Sequence, residues 1–141
     1  MKQIIIVRKD LNMSPGKMSA QVAHASMAFL TTWIKEKIDI HHTVNARFDA
    51  DIYDNWINDV FTKIVLKAKN KNQLLKAKEM AEELGLVEGK DFFLIKDNCY
   101  TELTPEEVDE NGIGRTLTCI GFKPFEPEII DKISHHYQMY R

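Results

Sequence analysis

The chain has little of what marks most specialised protein classes. Only two of its 141 residues are cysteine, Cys99 and Cys119, too few for a disulfide framework, so a reducing cytoplasm is the expected compartment. No uncharged stretch exceeds the 17 residues from Met18 to Ile34, and that one contains Gln21, His24 and Ser26. No bilayer-spanning helix is therefore expected. The apolar run near the N-terminus, Ile4 to Val7, is too short for a signal peptide. There is no phosphate-cradling G-x-x-x-x-G-K-[ST], no G-x-G-x-x-G, no internal repeat and no low-complexity segment. An excess of either charge is missing too. The 19 basic residues face 21 acidic ones for a net −2, which taken alone argues mildly against a nucleic-acid partner.

What is present is an ordinary globular balance, 44 % apolar and 28 % charged residues. It excludes wholesale disorder, coiled coils and collagen-like fibres, and residues 1–141 are expected to form one domain. The charge is unevenly spread. Between Val60 and Lys78 lie six lysines (63, 67, 69, 71, 76 and 78) and no acid, whereas Glu79 to Glu110 holds eleven acids against Lys90 and Lys96. A near-neutral total can thus hide a basic face beside an acidic one.

Hydrophobic periodicity predicts the elements. Gln3 to Arg8 is a β-branched apolar run that reads as a buried strand. Ser14-Pro15 reads as an N-cap followed by proline at the first helical position. Met18, Val22, Ala25, Phe29 and Trp33 then form one helical stripe, with Lys17, Gln21, His24 and Ala28 on a neighbouring face, and the helix is expected to reach about Lys37. Ile52, Trp56 and Val60 suggest a short helix after the caps Asp49 and Asp51. Phe61 to Ala68 alternates as a second strand. Asn72 can cap a helix ending at Gly85, and Phe92 to Ile95 is a third strand ending at Lys96-Asp97. Thr104-Pro105-Glu106-Glu107 has capping-box spacing and suggests a helical turn. Leu117 to Phe122 is a fourth strand, and Glu126 to His135 a final helix. The alternation predicts an α/β fold, a three-layer α/β/α sandwich with a mixed four-stranded sheet, whose ligand crevice lies beyond the carboxyl ends of strands.

Two such ends carry chemistry. The first leads through Arg8 and Asp10 to Gly16-Lys17, and the third leads to Asp97 and Thr101. The run Val7-Arg8-Lys9-Asp10-Leu11-Asn12-Met13-Ser14-Pro15-Gly16-Lys17-Met18-Ser19-Ala20-Gln21-Val22-Ala23-His24-Ala25 closely resembles the N-terminal signature of type-2 peptidyl-tRNA hydrolases. Phe61 to Lys67, Leu75 to Leu86, Lys96 to Thr101 and Thr118 to Pro124 resemble later segments of the same family. Two departures stand out. Asn98, Cys99 and Tyr100 replace the family's usual residues after the aspartate, and an acidic insertion at residues 102–114 lengthens the spacing between Thr101 and Thr118.

The resemblance implies hydrolysis of the ester joining a peptide to the 3′ end of tRNA, with neither cofactor nor metal, and a homodimer. It implies Lys17, Asp97, Thr101, Thr118 and His24 as catalytic residues, and Arg8, Asp10, Gly16, Gln21, Lys63, Lys67 and Lys71 as substrate contacts. Each role has a physical basis. Lys17, at a helix N-terminus, favours either an oxyanion or a phosphate. Asp97 can orient water or hold Lys17. Thr101 and Thr118 can hydrogen-bond a carbonyl or a water, although Thr116 shares a strand face with Thr118. His24 can shuttle a proton, or instead tether its helix from a partly buried position. Arg8 can pair with Asp10 or grip phosphate. The lysines from Val60 to Lys78, with Lys2, Lys9 and Lys17, form an expected tRNA path. A non-catalytic tRNA- or RNA-binding module that keeps the fold and a hydrolase of a different small ester or amide are the rival readings.

The remaining features read as structure. The adjacent pairs His41-His42 and His135-His136 lack the i, i+4 spacing of a helical metal site. Cys99 has no assigned base and reads as a small apolar filler.

Overall fold

The computed structural model describes residues 1–35 and 39–141. Strand β1 (Gln3–Arg8) is buried along its whole length. Its alternation divides the core: Ile4 and Ile6 join the cluster on one sheet face, Ile5 and Val7 the cluster on the other. β1 pairs in parallel with β2 (Lys63–Ala68) from Gln3↔Lys63 to Arg8↔Ala68. It pairs antiparallel with β5 (Gly114–Phe122), which in turn pairs antiparallel with β3 (Phe92–Asp97). β3 therefore points the same way as β1 and β2. The carboxyl ends of all three meet at one edge, together with the amino end of β5.

The expected four strands form the body of the sheet, and two further strands bring the total to six. β4 (Glu107–Val108) pairs with β5, and β6 (Gln138–Met139) pairs with β2. Two-residue strands carry no periodicity, which is why the sequence did not reveal them. The four main strands run in the order β3-β5-β1-β2, so β3 ends the sheet on one side.

Helix α1 (Pro15–Ile34) covers one face. Ser14 caps it, its Oγ accepting the Lys17 N–H at 3.3 Å, with Pro15 in the first turn. Its fully buried line is Gln21, Ala25 and Phe29, while Met18, Val22 and Trp33 are only half-buried. The helix is thus turned from the expected stripe so that a glutamine faces the sheet. Gly121 of β5 permits the close approach, since a Cβ there would collide with the Ala25 carbonyl. Phe29 meets Trp56 edge-on at 5.8 Å, and burying a ring of this size is worth about 2–3 kcal/mol. The expected end of α1 near Lys37 falls on residues 36–38, outside the described residues.

Trp56 comes from α2 (Ala50–Ile52), capped by Asp49, and the π-helical turn Tyr53–Ile57 that follows it. The wider π turn breaks the expected helical spacing, so Val60 is exposed instead of continuing the stripe. The opposite face carries α3 (Lys71–Glu83) and α4 (Pro127–Ser134) over Leu74, Ala77, Ile130 and Ile133. The cap of α3 is Asn70, whose side chain accepts the Gln73 N–H at 2.9 Å; Asn72 lies inside the helix.

The expected helical turn at Thr104-Pro105-Glu106-Glu107 is instead an arm of the β4–β5 hairpin. Tertiary bonds override the local capping pattern. Thr116 Oγ1 donates to the Thr104 carbonyl at 2.7 Å and accepts the Glu106 N–H at 3.1 Å. The Glu106 carboxylate is engaged by Arg8 and is not free to cap a helix.

Candidate active site

Lys17, Asp97 and Thr101 converge at the edge where the parallel strands end. Lys17 Nζ donates to Asp97 Oδ1 at 2.8 Å and to Thr101 Oγ1 at 3.1 Å. The side chains of the ion pair are 14 % and 11 % exposed, largely out of water yet reachable. Asp97 Oδ1 also accepts Gln21 Nε2 at 3.2 Å, and Oδ2 accepts the Cys99 N–H at 2.9 Å. Burial pushes the Asp97 carboxyl up. Hydrogen bonds from Lys17 and the Cys99 N–H, the Lys17 charge and Gln21 outweigh it and hold the group below the usual carboxylate range. Asp97 is therefore ionised at neutral pH and a weak base, better suited to orienting Lys17 and water than to abstracting a proton unaided.

Thr118 stands beneath this layer, fully buried, with its hydroxyl 2.6 Å from Gln21 Oε1 and 3.1 Å from the Ile95 carbonyl. The register of β3 on β5 slips between Ile95 and Lys96, so Ile95 opposes Cys119, Lys96 opposes Leu117, and Thr118 has no partner across the ladder. The bulge aims Thr118 at Gln21. Thr116, its neighbour on the same face, ties down the acidic hairpin instead, which distinguishes the two threonines.

Other candidate residues lie apart from this network. His24 is exposed, its imidazole makes no hydrogen bond among the described residues, and it lines a cavity of about 450 Å³ beside Asp97. It is therefore not a buried tether. Arg8 is 4 % exposed, and its donors go to Asp10 (3.1 and 2.8 Å), Glu106 (2.6 and 3.1 Å) and the Leu117 carbonyl (3.0 Å). Burial alone would lower its pKa, but these carboxylates raise it. All five N–H groups are engaged, so Arg8 stands as the partner of Asp10 and has no donor left for a phosphate. Gly16, in the first turn of α1, has open space where a Cβ would go.

The lysines separate by register. Lys67 lies near the carboxyl end of β2 and Lys71 opens α3, both at the site's edge. Lys63 pairs with Gln3 at the far end of the sheet, its ammonium 3.0 Å from the centre of the Phe61 ring and 4.8 Å from that of Trp56. Burial there lowers its pKa.

The acidic insertion is largely neutralised by contacts that the sequence did not disclose. Glu106 meets Arg8, Glu107 meets Lys96 at 2.6 Å and Asp109 meets Arg115 at 2.9 Å. Glu102 reaches the start of α1, accepting the Ser14 N–H at 2.9 Å. Its position next to Thr101 was the only signal of this in the sequence. Among the described residues, no three His, Cys, Asp or Glu side chains gather in a metal-ligating group.

An α/β sheet covered on both faces, with an ammonium, a carboxylate and a hydroxyl meeting at the carboxyl ends of its parallel strands, defines an enzyme-like domain with a polar centre open to substrate. Comparison with known proteins then gives the family. The family model described as peptidyl-tRNA hydrolase PTH2 matches residues 1–140, and the chain belongs to that family. Similar relatives include a peptidyl-tRNA hydrolase of Thermoplasma acidophilum, 32 % identical over 98 % of this chain and 97 % of its own length. One from Methanopyrus kandleri is 37 % identical over 94 % of this chain and 92 % of its own. One from Thermococcus onnurineus is 31 % identical over 98 % and 96 %.

Proposed function

We propose that this protein hydrolyses the ester between a peptide and the 3′ end of tRNA. The observation that carries the reading is the Lys17 ammonium held between Asp97 and Thr101 at the start of α1. Water attacks the ester carbonyl, the bond to the 3′ oxygen breaks, and the products are a peptide carboxylate, a proton and tRNA with a free 3′ hydroxyl. Negative charge developing on the carbonyl oxygen is met by Lys17 and by the N-terminal turn of α1. Thr101 Oγ1 accepts from Lys17, so its own O–H remains able to donate to the ester or to the attacking water. Asp97 balances the Lys17 charge and helps orient water. Gln21, braced by Thr118, keeps Asp97 in place. His24 is a substrate contact or proton carrier on the rim.

Because ammonium, carboxylate and hydroxyl cover the needs of the reaction, this reading requires no metal or cofactor. Lys67, Lys69 and Lys71 supply the tRNA path, with Gly16 giving room over α1. The reading also takes in a cytoplasmic location, a single domain over residues 1–141 and a homodimer, the last tested by sedimentation. No described helix is long and apolar enough to cross a membrane. The decisive experiment measures release of free tRNA from peptidyl-tRNA by the wild type beside Asp97→Asn. Turnover by the wild type that collapses in the variant is expected. Binding without turnover by the wild type would overturn the reading in favour of a non-catalytic module.

A further inference from the structure

The cavity of about 450 Å³ is lined by four consecutive residues of one strand, Leu94, Ile95, Lys96 and Asp97, with Gln21 and His24 among its other walls. That strand, β3, is the last of the sheet, so one side of its backbone has no neighbouring strand. The direction of its main-chain groups follows from two bonds. The Ile95 carbonyl faces β5, where it accepts from Thr118 at 3.1 Å. The Phe92 carbonyl faces outward, where it accepts the Gly89 N–H at 2.8 Å. Alternation then turns the N–H and C=O of Leu94 and Lys96 outward into the cavity. Among the described residues, no loop, helix or side chain pairs with them. An open row of this kind is a template for an added strand. Here it runs straight into the site, because Asp97 is the last residue of β3 and carries the carboxylate that holds Lys17.

We infer that the peptide part of the substrate docks as an added strand on the free edge of β3, through main-chain hydrogen bonds to Leu94 and Lys96. The inference rests on the hydrolase reading above and deepens it. The ester must lie at Lys17 and Asp97, so the peptide's carboxyl end is at the Asp97 end and its chain runs parallel to β3. The tRNA then leaves on the opposite side, toward Lys67 and Lys71 across β5 and β1. Main-chain pairing suits a substrate whose side chains vary, since every residue offers the same N–H and C=O. The Gly89 N–H and the Glu88↔Phe92 bridge cover the edge beyond Phe92. The docking strip is thus short, about three residues at roughly 3.3 Å each.

The test compares two wild-type substrates with the same C-terminal residue and the same tRNA. One is an N-acetyl-aminoacyl-tRNA, which has too little main chain to pair, and the other an N-acetyl-tetrapeptidyl-tRNA. We expect kcat/KM to be about tenfold higher for the tetrapeptide, the size expected of two net main-chain hydrogen bonds. A hexapeptide should gain nothing more. Methylating the peptide nitrogens one at a time should erase the gain at alternate positions only. Equal kcat/KM for the short and long substrates, or equal loss at every methylated position, overturns edge docking while leaving the hydrolase reading intact. Failure to cleave either substrate overturns both.

Discussion

Lys17 Nζ and Asp97 Oδ1 lie 2.8 Å apart, although the two residues are separated by 80 positions in the chain. One opens a helix and the other ends a strand, and the parallel course of β1 and β3 brings those two ends to the same edge. The pair is mostly buried, so removing either charge leaves the other poorly compensated. Asp97→Asn should therefore lower kcat/KM by tens-fold or more, about 2 kcal/mol in the barrier. Lys17→Ala should cost more than Lys71→Ala in the same peptidyl-tRNA assay. Equal effects would make Lys17 one phosphate contact among several.

Thr118 is fully buried and bonded to Gln21, so in the proposed reaction it acts through Gln21 and not on the substrate. Thr118→Val leaves the Gln21 side-chain oxygen Oε1 without that donor, at a cost of about 1–3 kcal/mol in stability. It should lower kcat with KM little changed, and Thr118→Ser should restore both kcat and thermal midpoint. Kinetics and thermal melts on the two variants check this. A Val variant with wild-type kcat would remove Thr118 from the positioning chain.

The proposed lysine path would have a positional signature. Charge reversal at Lys67 and Lys71 should weaken tRNA binding and reduce the slope of log affinity against log salt by about one for each phosphate no longer neutralised. Reversal at Lys63, on the far side of the sheet, should leave the slope unchanged. Salt titrations of binding for the three variants distinguish a local path from a diffuse basic surface.

Cys99 holds a left-handed backbone, φ 61°, directly after Asp97-Asn98. That conformation costs a non-glycine residue roughly 1–2 kcal/mol. Cys99→Gly should raise the thermal midpoint or leave it unchanged, whereas the β-branched Cys99→Val should lower it by several degrees. Calorimetry on the two variants reads the difference in sign.

Asp97, Glu107, Asp109 and Asp131 all hold carboxyls below their usual range. Burial of Asp97 opposes its shift and the bonds from Lys17 and Cys99 overcome it, whereas the leading causes at the other three are bonds from Lys96, the Ile113 N–H and Lys2. A depressed folded-state pKa contributes stability above the unfolded value and loses it as pH falls through the folded value. The thermal midpoint should therefore be nearly flat from about pH 7 to 5 and fall below about pH 4. Asp97→Asn should show a shallower fall, measured as midpoint against pH.

The long elements were legible because burial imposes a period. β1 is continuous and apolar because both its faces are covered, and the Ser14-Pro15 start of α1 follows from capping chemistry confined to neighbouring residues. The segments that carry Lys17 and Asp97 lie at the ends of patterned elements, but their reading as a site, together with Thr101 in the loop after β3, came from the resemblance to type-2 peptidyl-tRNA hydrolases. Short or tertiary-stabilised pieces were not. The turn at Thr104-Pro105-Glu106-Glu107 has a helical spacing, but Arg8 and Thr116 hold it as a hairpin arm.

By itself, the sequence determined the order of the long strands and helices, the chemical groups available at two strand ends, and the separation of basic from acidic stretches. All of these depend on residues close together along the chain. The tertiary structure decided the contacts between distant residues. A one-residue bulge chose Thr118 over Thr116 as the brace for Gln21. The parallel register divided Lys63 from Lys67. Packing turned α1 so that Gln21 is fully buried against the sheet while Met18 is only half-buried. The acidic insertion, which the sequence could read only as a block of negative charge, spends much of that charge on Arg8, Lys96 and Arg115, because folding brings those cations within bonding distance.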